Sequence, residues 1–378
     1  MGVTTATSSS TDERLGRMID RLAEQIHPRD ETLTALRNVP RHLFLPDIDL
    51  DRVYSGAAIP TKHDEKGNPI SSSSEVAIMA LMLDALRLEQ GQRVLEIGAG
   101  TGYNAAVLAE LVGVDNVVTV DIDPDIADEA RAHLRAAGYE GLRVETGDGW
   151  TGSPDGAPYA RIEVTAATSD ISPHWVDQLE EDGICVAPLL LRPNAQAMVA
   201  LRKRGRTLES LSVFAGGFMS LRGVGALGEQ AWDVGPWRVT SSRAIDSDRL
   251  LALLREKPSV ELAESASWND LALLAIGDEN SLALSRKGSP AYSSGIVADD
   301  DQSVAFVEWT GGVLSPRLLL VSYGRPEALE RLRRRLDEVR GRAWQGLRIT
   351  AVPTGNAVPH GDVVFARENY TFAVGSKR

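Results

Sequence analysis

Cysteine is nearly absent. Cys185 is the single one among 378 residues, which excludes an internal disulfide and a structural zinc site built from several cysteines. Positive charge is in deficit: 40 Lys and Arg stand against 53 Asp and Glu, a formal net charge of −13. A nucleic-acid backbone is therefore not expected as main partner, because such binders need clustered basic residues. No run approaches the roughly 18 apolar residues of a membrane helix, so no membrane partner is expected. The histidines (His27, His42, His63, His133, His174, His360) stand at no metal-ligand spacing, and no metal is expected. The first ten residues have neither a basic nor an apolar region, so they read as no secretory signal. Residues 1–11 are expected to form a disordered tail, and the cytoplasm is the expected location.

What is present is an ordinary globular mixture. Hydrophobic residues make up 43% of the chain, enough for a sizeable core. The length suggests about two domains. Leu15, Met18, Ile19, Leu22 and Ile26 recur at helical spacing. Residues 54–74 form a polar stretch ending in four serines, before an apolar helix over 75–88. From residue 92 to 188 short apolar runs alternate with helical segments. Strands are expected over 94–97, 117–120, 142–146, 162–165 and 184–188, with helices over 103–112, 125–137 and around 175–179. This alternation means βαβ units and a parallel, doubly wound sheet. Apolar stretches over 198–201 and 208–213 could close the sheet as a hairpin. Residues 215–230, with Gly216, Gly217, Gly223, Gly225 and Gly228, read as a domain boundary. The expected division is a catalytic domain over 12–225 and an α+β accessory domain over 231–378.

The segment Leu95-Glu96-Ile97-Gly98-Ala99-Gly100-Thr101-Gly102 reads as strand, glycine-rich turn and helix. Glycine lets a backbone turn tightly and approach a ligand closely. The G-x-G-x-G spacing departs from the dinucleotide pattern G-x-G-x-x-G, and the loop has no basic residue for a pyrophosphate. An acid just before the turn suits a cationic ligand, and S-adenosylmethionine is one. Asp121 ends the next strand, where a carboxylate can accept both ribose hydroxyls. Asp148, in Gly147-Asp148-Gly149, follows the third strand and could reach an adenine amino group. The expected cofactor set is Glu96, Gly98, Ala99, Gly100, Thr101, Gly102, Tyr103, Asp121, Ile122, Gly147, Asp148, Gly149 and Thr165. A nicotinamide cofactor is the alternative.

Several short motifs occur in order over about 200 residues: Val39-Pro40-Arg41-His42-Leu43-Phe44-Leu45-Pro46, Ile70-Ser71, Glu96 to Tyr103, Gly147-Asp148-Gly149, Ala157-Pro158-Tyr159 and Val164-Thr165-Ala166-Ala167. Together they resemble the protein-L-isoaspartate O-methyltransferases. The resemblance implies a Rossmann-like, seven-stranded methyltransferase fold, S-adenosylmethionine as methyl donor (S-adenosylhomocysteine as product) and an aspartyl-type carboxylate as acceptor. Ser71 matches the family's active-site serine, and Ser72 and Ser73 extend the candidate catalytic set. Ile70, Ser71, His63, Ala166 and Ala167 are the candidate substrate contacts. Ser74 is expected to cap the following helix.

The chain departs from repair enzymes of the family at Ser72-Ser73, in the longer polar segment Thr61 to Pro69, at Ala160, at Thr168-Ser169-Asp170, and in its C-terminal region. These features are similar to homologues in ribosomal-peptide maturation (lanthipeptides and graspetides). That resemblance implies methylation of an aspartate in a modified precursor peptide, followed by aspartimide closure. The alternatives are repair of L-isoaspartyl residues and, from another class, a non-catalytic donor-binding adapter. In the C-terminal region, Arg331, Arg333, Arg334, Arg335, Arg340 and Arg342 read as a solvated face paired with nearby acids.

Overall fold

In the computed structural model, residues 3–192, 195–226, 231–263, 266–287, 292–310 and 317–376 are described. Gly228 of the expected boundary lies outside them. Three helices open the chain: α1 (Val3–Ile26), α2 (Asp30–Asn38) and α3 (Leu50–Val53). The hairpin β1 (Ile59–His63) and β2 (Pro69–Ser73) follows, then α4 (Val76–Leu86). The central unit is β3 (Val94–Ile97), α5 (Tyr103–Val112), β4 (Val117–Asp121), α6 (Pro124–Ala136), β5 (Arg143–Thr146), β6 (Tyr159–Val164), α7 (Pro173–Gln178), β7 (Leu179–Arg192), β8 (Ala195–Arg204) and β9 (Thr207–Ala215).

Strands β5, β4, β3, β6 and β7 are parallel neighbours, and β8 and β9 complete the expected seven strands in antiparallel fashion. Residues 1–11 are expected to be disordered, yet backbone from Val3 belongs to α1. From Val3 to Thr11 the chain holds no proline or glycine that would break a helix.

The remainder comprises β10 (Ala231–Val234), β11 (Trp237–Ser241), α8 (Ser247–Leu253), β12 (Ser259–Leu262), α9 (Trp268–Gly277), β13 (Ser281–Arg286), β14 (Tyr292–Val297), β15 (Ser303–Thr310), β16 (Arg317–Gly324), α10 (Glu327–Val339), β17 (Leu347–Pro353), β18 (Val363–Ala366) and β19 (Tyr370–Ser376). Strands β10 to β16 form a separate antiparallel sheet. Strands β17 to β19 do not join it. They extend the sheet of β3 to β9 from the β9 edge, through Thr350 opposite Glu209 and Ala351 opposite Leu208. The expected division at 225–231 is thus crossed by one ten-stranded sheet. An unpaired β9 edge would leave a row of backbone donors and acceptors open, and β17 fills part of it.

The layers follow from the apolar pattern. One face of the large sheet packs on α1, α2, α4 and α5 through residues such as Leu22, Leu36, Leu83 and Leu108. The other face shares a core with α9 and α10, including Ile162, Leu189, Leu274, Leu332 and Phe372. Trp344 is buried there, whereas Trp232 and Trp237 pack half-buried on the β10–β15 core.

Side-chain contacts join the C-terminal strands to the central unit. Asp170 is buried and accepts from Ile171 N, Asn369 N, Asn369 Nδ2 and Tyr370 N at 2.7–3.1 Å, pinning β19 to the central unit. Arg367 and Arg192 each stand over the Phe365 ring, with Cζ 4.8 and 4.7 Å from its centroid. Arg331, Arg333 and Arg335 of α10 are ion-paired, partly with acids outside the helix: Arg331 with Asp278 and Asp299, Arg333 with Glu261, and Arg335 with Asp278 and Glu338.

Candidate active site

The carboxyl ends of β3 and β4 open onto a cavity of about 530 Å³. Its floor is the turn after β3. Gly98, Gly100 and Gly102 have φ of +105°, +51° and +85°, which favours glycine at each. Gly98 is doubly constrained, because an added Cβ would collide with Thr165 Oγ1. That oxygen lies 2.9 Å from both Ile97 O and Gly98 O, so Thr165 ties the end of β6 to the turn. Asp121 holds the turn from the other side, accepting from Gly100 N at 3.1 Å. It is buried, and burial raises its carboxyl above the usual range.

The opposite wall is the serine run. Ser71 and Ser73 are buried, and Ser72 and Ser74 half-buried. Thr61 donates to Ser71 Oγ at 3.1 Å. The backbone of the run is held by Arg41, whose fully buried guanidinium donates to Ser73 Oγ, Ser73 O, Ser74 O, Val53 O and Ala57 O. Ser74 is not the helix cap: Glu75 takes that place without a side-chain bond, and the Ser74 carbonyl serves Arg41. The two walls nearly touch, since a Cβ on Gly100 would lie 3.4 Å from Ser72 O. Lys62 ties the hairpin to the start of α6, 2.9 Å from Asp123 and 3.1 Å from Asp125. From the far side, Arg222 stands 3.7 Å from Asp121 and 3.5 Å from Asp123.

The cavity wall thus brings together Ile70, Ser71, Ser72, Ser73, Glu96, Gly98, Ala99, Gly100, Thr101, Tyr103, Asp121, Ile122, Gly149, Thr165 and Ala166. It does not include His63, Gly102, Gly147, Asp148 or Ala167. His63 ends the hairpin in solvent, and Gly102 starts α5. Gly147 donates to Asp121 O, and Ala167 to Met219 O. Asp148 is spoken for: its carboxylate accepts from Trp150 N at 2.9 Å and Val224 N at 2.8 Å. Trp150 packs in the core, edge to face with Trp175.

Sequence reasoning assigned no role to Asn104, Glu163, Arg41 or Arg222. Glu163 carried a readable signal, an acid inside an otherwise apolar strand. Glu96 and Glu163 are adjacent in register and essentially inaccessible. Asn104 Nδ2 bridges them, 2.7 Å from Glu96 Oε1 and 2.9 Å from Glu163 Oε2, and Thr119 donates to Glu96 Oε2. Burial pushes the Glu96 carboxyl up to about 7. Burial and the neighbouring Glu96 push Glu163 to about 8.

The chemistry of this wall fits S-adenosylmethionine. The glycine turn admits a ligand close to backbone, Asp121 stands at a strand end suited to a ribose, and the buried carboxyls favour positive charge over a phosphate. Among the described residues, no cluster suited to a metal ion is present, and no helix is long and apolar enough to cross a membrane.

Comparison with known proteins bears on the same residues. Residues 14–221 match the family model described as protein-L-isoaspartate(D-aspartate) O-methyltransferase. Protein-L-isoaspartate O-methyltransferase 2 of Archaeoglobus fulgidus is 40% identical over 179 residues, covering 47% of this chain and 79% of that protein. The enzyme so named from Methanoculleus marisnigri is 41% identical over 195 residues, covering 51% and 84%. A solved protein-L-isoaspartate O-methyltransferase aligns over 89% of this chain and 96% of its own, with a TM-score of 0.53 and 24% identity, which shows a shared fold. That likeness in fold extends beyond residue 221 into the C-terminal region. The serine wall, the glycine turn and the matched residues between them lead to one conclusion: the chain belongs to the protein-L-isoaspartate O-methyltransferase family, and is an S-adenosylmethionine-dependent carboxyl O-methyltransferase.

Proposed function

We propose that the acceptor is the free carboxylate of an L-isoaspartyl residue in a polypeptide. The observation that carries this reading is the opposition of two walls across one cavity, the serine run of β2 against the glycine turn and Asp121. The names of the relatives supply the acceptor class.

A carboxylate is already ionised at pH 7. Its methylation needs orientation and exclusion of water rather than a strong base. The bound donor supplies a methyl group on a cationic sulfur. Because Thr61 donates to Ser71 Oγ, the Ser71 proton is left to donate to one acceptor oxygen. Arg41 spends its guanidinium on the serine backbone and on Ser73, so its part is to position the wall rather than to meet the acceptor. Ile70 and Ala166 provide apolar surface beside the serines, which helps exclude water.

A second reading is methylation of an ordinary aspartate in a constrained ribosomal peptide. The polar β1–β2 hairpin, tied beside the cavity by Lys62, favours it. The methyl ester would then lose methanol to attack by the next backbone nitrogen, closing an aspartimide. A methyl-incorporation assay separates the readings. Turnover is expected on a short, unstructured isoaspartyl peptide. Turnover confined to the aspartate of a bridged precursor peptide would overturn the first reading in favour of the second, and donor binding without transfer to any carboxylate would leave an adapter.

A further inference from the structure

Five charged residues line the cavity: Glu75, Glu96, Asp121, Glu163 and Arg222. The transfer described above does not use Glu75, which stands on the serine side at the start of α4. We propose that Glu75 is a specificity residue for the acceptor: its carboxylate pairs with the Lys or Arg side chain of a residue flanking the isoaspartyl position. This rests on the reading that the acceptor is an isoaspartyl residue, and it names the class of polypeptide that suits the cavity.

Three observations carry it. First, Glu75 is the free charge of the wall. Glu96 and Glu163 are buried and bridged by Asn104. Asp121 accepts from Gly100 N and Asp123 N, and Arg222 is shared between Asp121 and Asp123. Glu75 is exposed, and among the described residues its carboxylate has no hydrogen bond or ion pair. Second, helix capping does not account for the acid. A capping side chain accepts from N–H groups of the first turn, and Glu75 makes no such bond. Third, it is close to the reacting serine. Strand β2 reaches Ser73, and Glu75 is itself extended, with φ −61° and ψ 129°. Four steps of chain span at most about 14 Å, so Glu75 stands within reach of a side chain one or two positions from the acceptor carboxyl.

The protein does not answer that charge itself. Lys62 is given to Asp123 and Asp125, and Arg41 to Ser73, Ser74, Val53 and Ala57. Beyond Glu75 the rim continues as Ile78, Gly216, Gly217 and Phe218, none of them charged. A Cβ on Gly216 would lie 3.5 Å from Ile78 Cδ1, and Gln196 accepts from Phe218 N and donates to Phe218 O, so this rim is fixed beside α4. A basic side chain arriving there meets a carboxylate on an apolar rim, and an acidic one is repelled. The net charge of −13 favours basic peptides as well. That field acts on every position of a peptide and is hardly altered by removing one charge, whereas Glu75 acts at one flank.

The test is methyl transfer from S-adenosylmethionine to short isoaspartyl peptides that carry Lys, Gln or Glu at each of the two positions on either side of the acceptor. At low salt the wild type should prefer Lys to Glu by about fivefold in kcat/KM at one flanking position, the scale of one exposed pair gained and one repulsion removed. The preference should shrink at about 0.5 M salt. Glu75→Gln should cut it to below about twofold, and Glu75→Lys should reverse it. Each ratio is taken within one protein, so a general change in activity cancels. If Glu75→Lys does not fold, the near-isosteric Glu75→Gln decides alone. A wild-type preference retained in folded Glu75→Gln would overturn the proposal, because the field of the whole molecule would then be its cause. Equal turnover of the Lys and Glu peptides by the wild type would overturn it too, while leaving the isoaspartyl reading intact. Turnover of none of the peptides would overturn both.

Discussion

Ser71 shows how a small side chain is made specific by what surrounds it. Its oxygen accepts from Thr61, and its backbone sits in a run fixed by Arg41. Replacing Ser71 by Ala should lower methyl transfer about 100-fold, the order of loss expected when a reacting group is left unaligned. Affinity for S-adenosylhomocysteine should stay within twofold by calorimetry. Gly98 should behave in the opposite way. Gly98→Ala forces a Cβ into Thr165 at a φ of +105°, so donor affinity should fall at least tenfold. The glutamate pair links to stability. Both carboxyls are raised by burial, so between about pH 4.5 and 8 the folded chain binds more protons than the unfolded chain. Stability therefore falls as pH rises through that window. Glu163→Gln should relieve this, with a melting temperature that gains on the wild type more at pH 8.5 than at pH 6.

At the scale of elements, legibility tracked how local the cause was. Strands β3 and β4 were visible because each is a short apolar run with a glycine or acid at its carboxyl end. The hairpin β1–β2 was hidden, because Thr61, Lys62, His63 and the serines are polar; its order comes from Arg41 and from Lys62 at α6, contacts 32 and 61 residues apart. The same holds for Asp148. Its position after β5 was legible, but Val224, 76 residues on, claims its carboxylate. Asp170 is an element-level latch. Asp170→Ala would leave the half-buried backbone donor of Asn369 and the buried one of Tyr370 without their acceptor, and should cost about 3 kcal/mol. Hydrogen exchange should then accelerate first in β19 and β17.

The whole molecule is stitched rather than strung. The sequence pattern suggested a division near residue 225, because the glycine-rich stretch there resembles a linker. Pairing between 208–209 and 350–351 has no local signature, so the return of β17 to the first sheet could not be read from composition or periodicity. The core is shared as well: Leu189 and Val199 of the central unit lie in one apolar cluster with Leu274 of α9 and Leu332 of α10. A chain ending at residue 225 should therefore be insoluble or lack a cooperative melt. A soluble 1–225 fragment with full donor affinity would show that the central unit stands alone.

The account's central claim concerns one cavity and two walls. A crystal grown with S-adenosylhomocysteine tests it most directly. The account predicts adenosyl density along the turn from Gly98 to Gly102, ribose oxygens at Asp121, and the Ser71 hydroxyl facing the open side of the sulfur. Density elsewhere on the molecule, or a Ser71 hydroxyl shut off from any space an acceptor could enter, would contradict it.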